Sequence, residues 1–185
     1  MAPKILLIVG SARKLRLSPS IANLVAATAK EIFGENNLEI IDVKNLKIPF
    51  DAEEGIPKLG GYTNEQVISW SNKVKLADGF IVVSPEYNYG YPGALKHAFD
   101  VLYKEFTQKP ATIVTFGGHG GSSSNEQLHK VLGDGFGMHL TKTSPKIALT
   151  REMVLSHEIN EKELTEANGL QIKESIEQLQ NLLKK

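Results

Sequence analysis

Short apolar runs alternate with amphipathic segments along most of the chain. Continuous runs of mainly branched apolar residues occupy 4–9, 79–84 and 111–116. Runs of this kind are typical of parallel strands that are buried on both faces of a sheet. We predict two further strands, at 38–43 and 146–150.

The segments between the strands predict helices. A stripe of apolar residues indicates a helix over 19–33, with Ser18 as its cap and a proline at its first position. Thr63 and Gln66 form a capping-box pattern for a helix that ends near residue 76. Further helices are predicted at 92–106, 126–132 and 163–183.

Strands that alternate with helices predict an α/β fold. The parallel sheet would carry helices on both faces, a three-layer sandwich within one domain over 1–185. Ligands of such sheets bind beyond the carboxyl ends of the strands. The loops that follow strands one, three and four should therefore converge. The segment 44–63 has too many prolines and glycines for regular structure, and we expect a lid or an interface there.

Charge and cysteine content narrow the function. Lys plus Arg and Asp plus Glu both number 21, so no long-range field attracts nucleic acid or an anionic membrane. A chain without cysteine cannot form disulfides, thiolate metal sites or thiol nucleophiles, so any redox activity must come from a bound cofactor. The first apolar run is too short for a signal sequence or a membrane span, and we expect a cytoplasmic protein.

The loop after strand one, the basic loop at 10–20, combines hydroxyls with two arginines and a lysine. Hydroxyl, guanidinium and helix N-terminal N–H groups at one strand end suit a phosphate monoester. A capped turn with solvated basic side chains is the alternative. The loop lacks the G-x-G-x-x-G of dinucleotide folds and the G-x-x-x-x-G-K-[ST] of nucleotide triphosphatases. Binding through side chains suits a terminal phosphate such as that of FMN.

The loop after strand three, the aromatic loop at 84–93, contains three tyrosines, two glycines and two prolines. It offers flat apolar surface and backbone N–H groups on a stiff framework, and a planar heteroaromatic ring can use both. The alternative is a rigid turn whose tyrosines pack locally. Lys96 and His97, on the helix that follows, are interpreted as surface charge.

The loop after strand four, the glycine loop at 117–121, has four glycines around His119. Glycines allow the backbone to pass close to a ligand and to direct N–H groups at ring oxygens, although a flexible turn would have the same composition. We interpret His119 as a polar contact rather than a general acid. The chain contains no acid/base pair, G-x-S-x-G elbow or H-E-x-x-H metal motif.

These motifs together resemble those of the NADPH-dependent FMN reductase family, most closely its fungal-type NAD(P)H:quinone reductases. The matching stretches are Gly10-Ser-x-Arg13, Ser84-Pro-Glu-Tyr-Asn-x-Gly-Tyr-Pro-Gly-x-Leu-Lys96 and Gly117-Gly-His-Gly-Gly121. The resemblance runs over about 4–132 and implies a flavodoxin-like fold of five parallel strands in the order 2-1-3-4-5. It also implies non-covalent FMN and a homodimer or homotetramer with the flavin near a subunit interface. One departure is His97, where the family usually has Asn.

The resemblance also assigns site residues. For the FMN phosphate it implies Ser11, Arg13, Arg16 and Ser18. For the isoalloxazine it implies Pro85, Glu86, Tyr87 and Asn88 on one edge, with Gly117, Gly118, His119, Gly120 and Gly121 on the other. Beside the flavin, Tyr89 and Tyr91 are expected to contact the substrate.

We therefore expect an NAD(P)H-dependent reductase in which FMN performs the chemistry and no side chain acts as a catalyst. Two electrons would pass in a ping-pong cycle to quinones or similar small acceptors, such as azo compounds, free flavin or metal oxyanions. A flavodoxin-type electron carrier or redox sensor is the alternative, and the neutral charge balance disfavours it. A Rossmann dehydrogenase without flavin is disfavoured by the missing glycine fingerprint.

Overall fold

The computed structural model describes residues 2–184 and has a six-stranded, all-parallel sheet at its centre. The strand order β2-β1-β3-β4-β5 confirms the predicted order, with β6 as a further partner of β4. The strands are β1 (Ile5–Val9), β2 (Leu38–Asp42), β3 (Gly79–Pro85), β4 (Pro110–Gly117), β5 (His139–Leu140) and β6 (Lys146–Ala148).

Six α-helices within 2–184 cover the two faces of this sheet. One face packs against α1, α5 and α6, and the other against α2, α3 and α4, which confirms the three-layer arrangement. The helices are α1 (Ser18–Phe33), α2 (Glu65–Leu76), α3 (Gly93–Asp100), α4 (Ser122–Leu128), α5 (Arg151–Ser156) and α6 (Glu161–Leu182).

The alternation of side chains along β1 shows how one strand serves two cores. Ile5, Leu7 and Val9 belong to the cluster that contains α1 and α6, whereas Leu6 and Ile8 belong to the cluster that contains α2 and α3. Successive strand residues point to opposite faces, so a strand covered on both sides must be apolar throughout. The continuous apolar run is therefore a consequence of its central place in the sheet.

The fifth position of the sheet differs from the prediction because two short strands share it. β5 pairs with the beginning of β4, and β6 pairs with its end. Between them the chain leaves the ladder near Pro145, which has no N–H to donate. The Ser144 hydroxyl instead donates to the Ile113 carbonyl at 2.8 Å, so this part of β4 keeps a hydrogen-bond partner.

Two predicted helix caps are wrong. Ser18 lies inside α1, with Leu17 at the cap position, and the buried Ser18 Oγ has no hydrogen-bond partner among residues 2–184. Asn64 caps α2 instead of Thr63, because its side chain accepts hydrogen bonds from the first turn of the helix. The Thr63 hydroxyl instead donates to Glu53 at 3.0 Å.

Three helices differ in length from the prediction. The predicted helix 92–106 ends at Asp100, and the chain then turns so that the buried Glu105 accepts a hydrogen bond from Ser71 Oγ at 2.7 Å. The predicted helix 126–132 begins earlier, at Ser122, and continues as a π-helical turn over His129–Gly135. The last helix starts at Glu161, two residues before the predicted 163, because Asn160 caps it.

The segment 44–63 is irregular as predicted, apart from short 3₁₀ turns at Val43–Asn45 and Pro57–Leu59. Its contact with the body of the protein includes His97, whose Nε2 lies 3.1 Å from the Ile48 carbonyl. The His97 ring also packs on Phe50, with 4.4 Å between ring centroids. Within 2–184, no helix is both long enough and apolar enough to cross a membrane.

Candidate functional site

The three loops that follow β1, β3 and β4 meet at the carboxyl edge of the sheet. They line a common cleft of about 200 Å³, which we call the three-loop cleft. Seven predicted site residues line it: Arg13, Arg16, Pro85, Glu86, Tyr87, Gly117 and Gly118. The other lining residues are Leu15, Leu17, Phe116, Leu149, Val154 and His157.

The basic loop contacts the aromatic loop directly. The buried Ser11 Oγ and the Tyr87 hydroxyl share a hydrogen bond of 2.6 Å. The Arg13 guanidinium carbon lies 3.4 Å from the centroid of the Tyr87 ring, a stacked cation–π contact. These two contacts hold the Tyr87 side chain against the basic loop. They also place the Arg13 cation at the wall of the cleft.

Arg16 has a different environment from Arg13. Its guanidinium forms a two-pronged ion pair with Asp42 at the end of β2, with 2.8 Å between Nη1 and Oδ1. It also donates to the Ser11 carbonyl, and only 9 % of its side chain is exposed. These bonds hold the basic loop against β2 and use three of the five guanidinium N–H groups. Phosphate binding by Arg16 stays a prediction, and it would have to use the two guanidinium N–H groups that remain.

The start of α1 contains a hydroxyl with an unmet hydrogen-bonding need. Ser18 is fully buried, and its Oγ has no partner among residues 2–184. Buried hydroxyls in proteins almost always have a partner, and an unpaired one costs free energy. A phosphate oxygen would provide the missing acceptor. The unpartnered hydroxyl is therefore compatible with the predicted phosphate contact, although Ser18 itself does not line the three-loop cleft.

A tight turn shapes the tip of the aromatic loop. Tyr87 N–H donates to the Gly90 carbonyl at 2.8 Å, and Gly90 N–H donates to the Tyr87 carbonyl at 3.2 Å. Asn88 and Tyr89 between them have positive φ angles of 50° and 63°, as a type I′ turn requires. Gln127 Nε2 fixes the turn from outside by donating to the Tyr89 carbonyl at 2.8 Å.

The three tyrosines of the aromatic loop have different surroundings. Tyr87 lines the three-loop cleft, whereas Tyr89 is 81 % exposed at the tip of the turn. Tyr91 is half-buried and packs against the core on the side of α3. Burial raises the pKa of Tyr91 to about 12, and the charge of Asp100 adds to this shift. Substrate contact by Tyr89 and Tyr91 stays a prediction, since neither residue lines the cleft.

The glycine loop needs glycine for steric reasons. Gly120 and Gly121 have positive φ angles of 70° and 74°. A Cβ atom on Gly121 would lie 2.9 Å from the backbone nitrogen of Phe116. The loop therefore lies closely against the end of β4, with His119 exposed at its outer side. A side chain at position 121 would push the loop away from the strand.

Glu86 joins the aromatic loop to the glycine loop. Its backbone N–H donates to the Phe116 carbonyl at 3.1 Å. Its carboxylate accepts hydrogen bonds from the backbone N–H groups of Ser123 at 2.8 Å and Ser124 at 3.4 Å, in the first turn of α4. The backbone N–H of Glu86 is therefore bonded to the end of β4, and its carboxylate is bonded to the start of α4.

Sequence reasoning missed one wall of the cleft, which the residues after β6 form. Leu149 N–H donates to the Gly117 carbonyl at 2.9 Å, and Val154 on α5 and His157 just after it also line the cleft. A helix of six residues is too short to show an apolar period. The predicted strand at 146–150 could have indicated this wall, because the residues after a fifth parallel strand must also lie at this edge of the sheet.

The chain is similar to known proteins both in sequence and in fold. Residues 3–148 match the model of the family described as NADPH-dependent FMN reductase. An NAD(P)H-dependent FMN reductase of Schizosaccharomyces pombe is 40 % identical over 159 residues, which cover 84 % of this chain and 78 % of that protein. A quinone reductase of Escherichia coli K12 is 30 % identical over 136 residues, covering 70 % and 69 %.

Among solved structures, the chain is similar to FerB, a flavoenzyme NAD(P)H:(acceptor) oxidoreductase from Paracoccus denitrificans. The TM-score is 0.71 at 19 % identity, and the match covers 98 % of this chain and 97 % of that one. At this level of identity the likeness concerns the fold. It extends over the residues after 148 as well, which the family model does not cover.

Proposed function

The chain belongs to the NADPH-dependent FMN reductase family, and we propose that it reduces quinones or similar small acceptors at the three-loop cleft. It is an oxidoreductase that uses FMN and NAD(P)H. The observation that carries the proposal is the meeting of the basic, aromatic and glycine loops around one cleft. All three loops lie within the part of the chain that matches the family model.

Within this proposal the basic loop holds the FMN phosphate. Arg13 supplies a positive charge at the cleft wall, and Ser18 supplies a buried hydroxyl that lacks a partner within 2–184. Ser11 Oγ shares a hydrogen bond with the Tyr87 hydroxyl and accepts one from the Arg13 N–H at 3.4 Å, and a hydroxyl has capacity for a third partner. Arg16 contributes mainly by holding the loop to Asp42. Charge-assisted hydrogen bonds of this kind bind phosphate strongly.

The aromatic and glycine loops would receive the flavin ring. On one side the proposal places Pro85, Glu86, Tyr87 and Asn88, and on the other Gly117, Gly118, His119, Gly120 and Gly121. The N–H groups of Gly118 and His119 make no backbone hydrogen bond within 2–184 and are therefore available as donors. Preorganised backbone donors stabilise negative charge without reorganisation during the reaction.

When bound, FMN would supply the two-electron redox chemistry between NAD(P)H and the acceptor. For a quinone, the hydride and one solvent proton give the hydroquinone and NAD(P)⁺. The stacked pair of Arg13 and Tyr87 narrows the cleft from one side. Donor and acceptor would then use one open side in turn, which is a ping-pong cycle. No side chain is required as an acid or a nucleophile.

Quinones are proposed as acceptors because the E. coli relative is a quinone reductase. Azo compounds, free flavin and metal oxyanions are the other acceptors to test.

We further propose a homodimer or homotetramer. It is supported by large apolar side chains that the segment 44–63 leaves exposed, with Phe50 at 86 %, Leu59 at 72 % and Ile56 at 65 %. A cytoplasmic location completes the proposal, since NAD(P)H is supplied there.

The experiment that tests the proposal starts from the colour of the purified protein. We expect a yellow protein that releases one FMN per chain on denaturation, and rapid flavin reduction by NAD(P)H in a stopped-flow instrument. Turnover with NADH and with NADPH is then measured against a panel of quinones and the other acceptors. A protein that ignores added FMN would contradict the proposal. One that holds FMN but is not reduced by NAD(P)H would be an electron carrier.

A further inference from the structure

Glu86 lies among the residues proposed to receive the flavin ring, and its own hydrogen bonds suit a positioning role as well. We propose that Glu86 holds the glycine loop against the aromatic loop, and that its negative charge lowers the reduction potential of bound FMN. The first part concerns the protein alone. The second part rests on the proposed function, because it needs FMN in the three-loop cleft.

The holding role follows from which groups Glu86 engages. The first N–H groups of any α-helix lack partners within the helix. In α4 two of these groups, on Ser123 and Ser124, donate to the Glu86 carboxylate. The backbone N–H of Glu86 is also occupied, because it donates to Phe116 at the end of β4. Glu86 therefore connects the aromatic loop to both ends of the glycine loop.

This arrangement determines which N–H groups remain for the flavin ring. Ser123 and Ser124 are already satisfied by Glu86, so ring oxygens must find donors earlier in the loop. Gly118 lines the cleft, and its N–H makes no backbone hydrogen bond within 2–184. If the carboxylate were lost, the start of α4 would be free to move, and the N–H of Gly118 would move with it.

The electrostatic role follows from the position of the charge. Glu86 lines the cleft and forms no ion pair within the described residues 2–184, whereas Arg16 is paired with Asp42. A carboxylate beside the cleft opposes the negative charge that a flavin gains on reduction. It therefore weakens the binding of reduced FMN relative to oxidised FMN, which lowers the reduction potential.

Amide hydrogen exchange of the FMN-free protein tests the holding role. Glu86→Leu removes both the acceptor and the charge, whereas Glu86→Gln keeps an acceptor oxygen without the charge. We expect exchange at Ser123 and Ser124 to be at least tenfold faster in Glu86→Leu and within threefold of wild type in Glu86→Gln. The exposed Glu126 on α4 provides the control, Glu126→Gln, which should leave exchange unchanged. Unchanged exchange in Glu86→Leu would refute the holding role.

The reduction potential of the FMN-loaded protein tests the role of the charge. We expect Glu86→Gln to favour reduced over oxidised FMN about tenfold, which is about +30 mV for a two-electron couple. Glu126→Gln should leave the potential unchanged. An equal shift in both variants, or none in Glu86→Gln, would overturn this part. A wild-type protein that binds no FMN would refute the proposed function and the potential effect together, while the exchange experiment would still decide the holding role.

Discussion

Replacing Ser18 by alanine should have opposite effects on the stability of the FMN-free protein and on the binding of FMN. Ser18 Oγ is buried without a partner in the described part of the chain, and an unsatisfied buried hydroxyl costs about 1–3 kcal/mol. Ser18→Ala should therefore raise the free energy of unfolding of the FMN-free protein by about 1 kcal/mol or more. Two-state urea unfolding measures this change.

The same substitution should weaken FMN binding. A hydrogen bond to a charged group contributes about 1.5–3 kcal/mol, so the Kd of FMN should rise about ten- to a hundredfold. Riboflavin lacks the phosphate, and its Kd should be equal for wild type and Ser18→Ala. Both affinities follow from titrations monitored by flavin fluorescence.

Ser71 provides the matched control for Ser18, because it is equally buried but has a partner. Its hydroxyl donates to the Glu105 carboxylate at 2.7 Å. Neither Ser71 nor Glu105 lines the three-loop cleft. Ser71→Ala should lower the free energy of unfolding by about 1.5–3 kcal/mol and leave FMN affinity unchanged. If Ser18→Ala destabilises the FMN-free protein as Ser71→Ala does, or weakens riboflavin and FMN equally, the phosphate assignment is wrong.

Four further substitutions test other parts of the site. Arg13→Ala should raise the Kd of FMN about ten- to a hundredfold and leave that of riboflavin unchanged, and equal losses in the two titrations would argue against a phosphate contact. Gly121→Ala should lower the free energy of unfolding by about 2–4 kcal/mol in urea, from the positive φ angle and the close Phe116 nitrogen, and a neutral result would refute the steric argument. Tyr89→Ala should raise KM for the quinone with little change in kcat, since an exposed ring supplies contact area that ground and transition states share; a fall in kcat alone would contradict this. Tyr91 has a pKa raised to about 12 in the folded state, so its contribution to stability is complete below its unfolded pKa of about 10 and is lost as pH rises from 10 to 12. Tyr91→Phe should flatten that decline in unfolding experiments, and an unaltered decline would assign it to other groups.

Local patterns in the sequence were enough to predict most of the elements in their order, but not β5 or α5. The strands predicted at 4–9, 79–84 and 111–116 each agree with the structure to within one residue at either end. This agreement has a physical cause, because a central parallel strand is covered on both faces and must be apolar throughout. The three unusual loops were recognisable for the same reason, since each one follows such a strand.

Helix boundaries were less predictable because several residues can compete for one role. Thr63 and Asn64 both suit a cap, and the choice depends on Glu53, which binds the Thr63 hydroxyl. Ser18 has a good cap side chain, yet the chain enters α1 one residue earlier and buries it. Propensity alone cannot rank such alternatives, since the deciding contact of Thr63 is with a residue outside the helix.

The sequence by itself therefore determined the class of fold, the places of the three loops and the kind of ligand they suit. Tertiary structure alone decided which polar side chains pair with each other. Arg16 is paired with Asp42, and Glu86 with the start of α4. The physical reason is that apolar periodicity is a local property of the chain. The pairing of charges and hydrogen-bond donors depends instead on distances between segments that only the folded sheet brings together.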